Sequence, residues 1–272
     1  MKKIISFVLV FTALLSFSII SVDAASSVGV YINNERFTGN VQVTNNTTYV
    51  GIRKFAYAMD DDARVTYTSS NRTLTVETDN LKIVCKDKTN YINVNGRYFY
   101  YEQPIYMKNG IMYAPILNLY KAFGANIKWT DYRGFDVTTG SGYVRSGDSF
   151  YKDDEVYWLA RIIYAESGAE PLKGKIAVGN VILNRVRSSY FPNTIYGVIF
   201  DKKNGVQFSP TINGAIYKTP NAESIIAAKI CLEGYSVNKN ILYFINPYKA
   251  PNSWVSKNRT LFAQIGNHAF YY

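Results

Sequence analysis

A change of hydrophobic period near residue 150 constrains the fold more than any other feature of this 272-residue chain. Before it, short stretches such as Thr73-Leu74-Thr75-Val76 and Leu81-Lys82-Ile83-Val84 alternate, with Asn, Gly and Asp turns between them. Period two marks half-buried strands. From Asp153 the apolar residues Val156, Leu159, Ile162 and Ile163 recur every three or four positions, with Trp158 beside them, which is a helical pattern. Separate blocks of the two kinds predict an α+β protein of two domains. The first, over 28–140, is β-rich α+β, and the second, over 153–272, is mostly α-helical. Gly140-Ser141-Gly142 and Ser146-Gly147-Asp148-Ser149 mark a linker over 141–152.

The first block carries a weak duplication. Tyr31-Ile32-Asn33-Asn34 recurs as Tyr91-Ile92-Asn93-Val94, and Thr48-Tyr49-Val50-Gly51-Ile52 aligns with Met112-Tyr113-Ala114-Pro115-Ile116. A helix-like stretch follows each, over 53–59 and 117–123. Ala63-Arg64-Val65-Thr66-Tyr67 then matches Ala125-Asn126-Ile127-Lys128-Trp129. Each unit reads strand, strand, short helix, strand, strand. Neither is large enough to bury a core alone, so the two are expected to pack as one domain. The block has no paired acids, no nucleophile–base set and no metal cluster. Tyr98 to Tyr101 and Tyr106 offer either core aromatics or a surface for sugar rings, and the core reading is favoured.

The amino terminus reads as a secretory leader over residues 1–24. Lys2 and Lys3 precede an apolar run from Ile4 to Ile20, and Val22-Asp23-Ala24 supplies a cleavage site. No later segment is long and apolar enough to span a membrane, so the expected product is secreted. A net charge of +10 implies polyanionic partners. Export and the lack of a basic run interleaved with aromatics argue for envelope glycopolymers and against nucleic acid. Cys85 and Cys231 are read as two buried thiols, with an inter-domain disulfide as the alternative.

In the helical block, Asp153 or Asp154 is expected to cap a first helix that ends near Gly168. Pro171 opens a second, whose stripe is Ile176, Ala177, Val181 and Ile182 and which Asn184-Arg185 close. Glu166 lies four residues beyond Ile162, at the carboxyl end of the first helix and on its buried face. Desolvation and the helix dipole both raise a carboxyl pKa there, as a general acid requires.

The segments Trp158 to Glu166, Gly168-Ala169-Glu170-Pro171, Asn184-Arg185-Val186, Gln207-Phe208-Ser209, Tyr243-Phe244-Ile245-Asn246-Pro247 and Ile265 to Tyr271 occur in order. Together they resemble the cell wall hydrolase family of spore cortex-lytic enzymes (SleB/CwlJ-like). Residues 28–140 resemble the copper-amine-oxidase N-terminal-like domain, a module that implies no copper and here has no His. The first resemblance implies a lysozyme-like domain acting on peptidoglycan, with Glu166 as the catalytic glutamate. Glu170 is the runner-up, for which capping of the second helix is preferred. Ser167-Gly168-Ala169 departs from the family's usual Ala-Arg-Gly.

A glycosidase normally needs two carboxylates. The block offers only Asp201, Glu223 and Glu233 besides, none in a convincing setting. With one acid, the resemblance points to lytic transglycosylation between N-acetylmuramic acid and N-acetylglucosamine, in vegetative wall or spore cortex. Gln207, Ser209, Tyr243, Asn246 and His268 are the candidates for holding substrate; for His268 a structural role competes. A zinc amidase cutting the stem peptide is the alternative enzyme, but a lone His cannot make a typical zinc site, so no metal or cofactor is expected. A non-catalytic wall-binding protein is the other alternative.

Overall fold

The computed structural model describes residues 28–203 and 205–272. The leader assigned to 1–24 lies outside the described residues.

The first domain begins with the hairpin β1 (Val30–Ile32) and β2 (Glu35–Arg36), then β3 (Val41–Thr44), β4 (Thr47–Gly51), α1 (Ile52–Met59), β5 (Arg64–Thr68) and β6 (Thr73–Glu77). After β7 (Lys82–Lys86) a similar order returns: β8 (Tyr91–Val94), β9 (Arg97–Tyr100), β10 (Tyr106–Lys108), β11 (Ile111–Pro115), α2 (Ile116–Ala122), β12 (Asn126–Thr130) and β13 (Gly134–Thr138). Three sheets result, in the orders β12-β13-β1-β2, β10-β11-β4-β3 and β5-β6-β7-β8-β9. β1 pairs in parallel with β13, Val30 opposite Phe135 and Ile32 opposite Val137, so the domain's first and last strands lie side by side. β11 pairs antiparallel with β4, with Ala114 opposite Val50. Both helices start directly from strand ends and bury an i, i+3/i+4 stripe, Ile52, Phe55 and Ala56 on α1 and Ile116, Leu119 and Ala122 on α2.

The second domain is built on the hairpin of α4 (Asp153–Ser167) and α5 (Leu172–Arg187), preceded by a one-turn α3 (Gly147–Phe150). Short helices α6 (Ile195–Ile199) and α7 (Pro210–Asn213) follow, then α8 (Ala222–Leu232), which packs on both arms of the hairpin. The chain ends with β14 (Tyr243–Ile245), α9 (Trp254–Asn258), β15 (Leu261–Ile265) and β16 (His268–Tyr271), the strands in the order β14-β16-β15. This small sheet is absent from the sequence reading. Its strands are three to five residues long, too short for alternation to register.

Two helix boundaries differ from expectation. Lys152 occupies the N-cap of α4 without a side-chain bond, so Asp153, Asp154 and Glu155 act through their charge in the first turn. Pro171 is the N-cap of α5, one residue before the first turn, and Glu170 does not cap that helix.

Asn180 and Asn184, one turn apart on α5, hold the segment beyond α8. Asn180 Nδ2 donates to Tyr235 O at 2.9 Å, and Asn184 Nδ2 to Asn238 O and Ile241 O at 3.0 and 2.9 Å. These bonds steer the chain into β14 beside the cleft described below.

The stretch 141–152 is packed against both domains. Val144 and Tyr151 are buried, and Gly147 N–H donates to Asn95 O at 2.7 Å. Across the domain junction, Arg97 makes a two-pronged contact with Glu233 at 2.8 and 2.7 Å, and Tyr151 Oη donates to the same carboxylate at 2.6 Å. Tyr91, Tyr98 and Tyr100 pack against the helical core, with the Tyr100 and Tyr235 rings 4.4 Å apart. Tyr98 and Tyr100 therefore serve the junction and do not form a free platform for sugars. Cys85 and Cys231 are free and buried in separate cores.

Candidate active site

The last turn of α4, the loop before α7 and the carboxyl-terminal sheet enclose a cleft of about 2380 Å³. Glu166, Gln207, Ser209, Tyr243, Asn246 and His268, all singled out from sequence, line it together. Leu159, Ile162 and Ile163 anchor α4 in the core, which leaves Glu166 half-buried at the cleft edge of that helix. Burial raises its carboxyl to about pKa 7. Among the described residues it accepts no hydrogen bond and joins no ion pair, so nothing opposes that desolvation. Ser167 turns away from it, its hydroxyl donating to Ile163 O at 2.7 Å.

The other carboxyls of the cleft are occupied. Asn267 donates to Glu170 through both its N–H and Nδ2, each at 2.9 Å. Burial pushes Glu170 up, but the Asn267 bonds, with His268 and Lys175 nearby, outweigh it and hold the carboxyl below the usual range. Glu170 thus ties the start of α5 to the turn between β15 and β16. Asp201 accepts from Lys203 N–H at 2.9 Å. Glu223 and Glu233 serve the scaffold, pairing with buried Lys175 at 2.5 Å and with Arg97.

The five substrate-binding candidates differ in how free they are. Ser209 is exposed at the N-cap of α7 and makes no capping bond, so its hydroxyl is open to a ligand. Gln207 has both ends engaged, accepting from Arg185 at 3.2 Å and donating to Gly205 O at 3.1 Å. Asn246 Oδ1 accepts from Tyr248 and Lys249 N–H at 3.0 and 3.2 Å, which fixes a turn and leaves only Nδ2. Tyr243 Oη accepts from Arg259 at 3.0 Å. His268 is buried edge-on to Phe244, with Nδ1 3.9 Å from Glu170 Oε1; burial lowers its pKa, Glu170 raises it and Lys249 lowers it further, for a net decrease.

Sequence reasoning read Arg185 as a helix end, yet it is buried and lines the cleft. It also missed Arg259, which lies over Trp254 and Tyr243 with ring centroids 4.9 and 4.7 Å away. Trp254 itself stands 59% exposed on the rim. Nothing in the local pattern separates such cations from solvated ones.

Residues 169–271 match the cell wall hydrolase family model, and residues 31–134 match the copper amine oxidase N-terminal domain. The second half is a cell wall hydrolase domain. The spore cortex-lytic enzyme of Bacillus cereus is 38% identical over 120 residues, 44% of this chain and 45% of that protein. The Bacillus subtilis spore cortex-lytic enzyme is 33% identical over 120 residues, 44% of this chain and 38% of its own length. The chain thus spans less than half the length of these curated relatives. A solved catalytic domain of the germination-specific lytic transglycosylase SleB from Bacillus anthracis shares 37% identity, covering 47% of this chain and all of that one, with a TM-score of 0.41. The hydrolase match starts three residues beyond Glu166, so the case for that acid rests on its setting in the cleft.

Proposed function

We propose that this protein is an exported lytic transglycosylase that cuts peptidoglycan strands between N-acetylmuramic acid and N-acetylglucosamine. The observation that carries this reading is one half-buried carboxyl, Glu166, unpaired among the described residues, in a cleft of about 2380 Å³ whose other carboxyls are engaged. A pKa near 7 suits a group that must give a proton and then take one. Protonated Glu166 donates to the glycosidic oxygen as its bond to the muramyl C1 breaks. The C6 hydroxyl of that muramyl residue then attacks its own C1 and returns a proton to Glu166. The product is a 1,6-anhydro end, and no second carboxylate or water is required. Ser209, Tyr243, Asn246 and the rim aromatics hold the sugars, while Gln207 and His268 shape the wall.

The names of the relatives point to spore cortex as substrate. Residues 1–24 act as the leader, 28–140 as a wall-binding domain, 141–152 as a packed connector and 153–272 as the enzyme. The first domain is a duplicated unit. In support, Val50 and Ala114 occupy equivalent places in the sequence alignment and stand opposite each other in the β4–β11 pair, as a local twofold requires.

The test is mass spectrometry of fragments released from purified cortex and vegetative sacculi by the native protein and by Glu166→Gln. Anhydro-muramic ends that vanish in the variant are expected. Reducing muramic ends would replace transglycosylation by hydrolysis, and released stem peptides with intact glycans would overturn the reading.

A further inference from the structure

Arg185 is a buried cation with no carboxylate partner among the described residues. Two other well-held cations do have one: Lys175 meets Glu223 at 2.5 Å, and Arg97 meets Glu233. Arg185 is 5% exposed, and its described hydrogen bonds use only Nε, to Leu242 O at 2.8 Å, and Nη1, to Gln207 Oε1 at 3.2 Å. The rings of Phe191, Phe208 and Tyr243 surround it, with centroids 4.8, 5.3 and 5.5 Å from the guanidinium carbon. Asp201 acts on it only from beyond ion-pair distance, and burial pushes the guanidinium down to about pKa 10. The carboxyl end of α5 offsets part of the charge, and the aromatic faces offset some of the rest. What is left is a planar cation fork, fixed by two neutral acceptors, whose residue lines the cleft. Such a fork matches a carboxylate with two parallel hydrogen bonds. Lys203, Lys218, Lys249 and Arg259 line the same cleft, which adds to its positive character.

Of the two sugars in the proposed substrate, only the muramyl residue carries an acid-bearing side chain. We propose that Arg185 recognises a carboxylate on that side chain and so determines which muramyl residues occupy the cleft. The carboxylate is either the free lactyl group or the terminus of a short peptide attached to it. The inference rests on the peptidoglycan reading above and names the feature of that substrate which this site selects.

The test is an NMR titration of the intact protein with N-acetylmuramic acid, N-acetylmuramyl-L-alanine and N-acetylmuramic acid amide, repeated on Arg185→Gln after its melting curve is checked. At least one acid is expected to bind about tenfold or more tighter than the amide, the scale of one charge-assisted hydrogen bond. The variant is expected to lose that preference. Whichever acid is preferred identifies the source of the carboxylate. Equal binding of acids and amide by the native protein overturns the proposal, whether or not the variant folds. Retention of the preference by a folded Arg185→Gln overturns it as well. Fragment analysis on the same samples separates this outcome from the function: acid preference without anhydro products would keep the carboxylate site and sink the transglycosylase reading.

Discussion

Glu166 combines two conditions that oppose each other in most proteins, burial enough to hold a proton near neutrality and access to a cleft. Since the first step needs the protonated acid, kcat/KM should fall above about pH 7, tenfold per unit, with no matching carboxylate break near pH 4. A profile rising from pH 7 to 9 would remove Glu166 as the acid. Glu166→Gln should lower turnover at least about a hundredfold. The same shift has a thermodynamic consequence that needs no substrate. At pH 4 both folded and unfolded forms hold the proton, so the variant and the native protein should be equally stable. As pH rises from the unfolded value of 4.5 to the folded value of about 7, only the unfolded chain gains from ionising, and native stability falls. Glu166→Gln escapes that loss and should be more stable than the native protein by about 3 kcal/mol above pH 8. Melting curves at pH 4.5 and 8.5 check the sign; a variant less stable at the higher pH contradicts the desolvation account.

At the level of elements, the cleft wall depends on a turn that one carboxylate pins. Gly266, at φ +61°, approaches Glu170 so closely that a Cβ there would lie 2.0 Å from Oε2, while Asn267 donates twice to the same group. Glu170→Gln keeps the shape but replaces an acceptor by a donor facing Asn267 Nδ2. It should cost about 1.5–3 kcal/mol in urea denaturation and reduce turnover less than tenfold. Abolished turnover at unchanged stability would instead make Glu170 a second catalytic acid. This pin marks the boundary of what sequence can show. Periodicity is local, so the α4–α5 hairpin, the stripe through Ile162 and Ile163, and the place of Glu166 at its end were all readable. The partner of Glu170 lies 97 positions away and follows no period. The same holds for Arg185, read as a helix end, whose partners Gln207 and Leu242 lie 22 and 57 positions away, whereas Asn246 is engaged by its own turn through Tyr248 and Lys249. Ordered motifs located the cleft, but hydrogen bonds formed on folding, long-range at Glu170 and Arg185 and local at Asn246, decide which of its side chains remain free.

At the scale of the molecule, β7 lies between β6 and β8 in the first domain and makes that sheet a five-stranded meander ending in β9. β9 is the edge strand of that sheet, as β2 is of its own, and it meets α8 there. An exposed edge invites unwanted pairing; here the second domain covers it. Arg97 on β9 and Glu233 after α8, with side chains 16% and 7% exposed, form the polar centre of this junction. Phe150 stacks on the guanidinium at 3.6 Å, and Tyr151 donates to the carboxylate, so the connector closes over the pair. Removing one partner strands the other charge. Arg97→Ala should therefore destabilise the protein by about 3 kcal/mol, whereas Arg97→Met combined with Glu233→Leu should cost much less. The double-mutant cycle gives the coupling directly. If the junction makes the domains one cooperative unit, the native protein unfolds in urea in a single step. Arg97→Ala should then split the curve, with amide-exchange protection of the first domain's strands and the helical signal of the second domain lost at different urea concentrations. A native curve already in two steps, or an Arg97→Ala curve superimposable on it, would mean that the domains fold independently and that the ion pair only orients them.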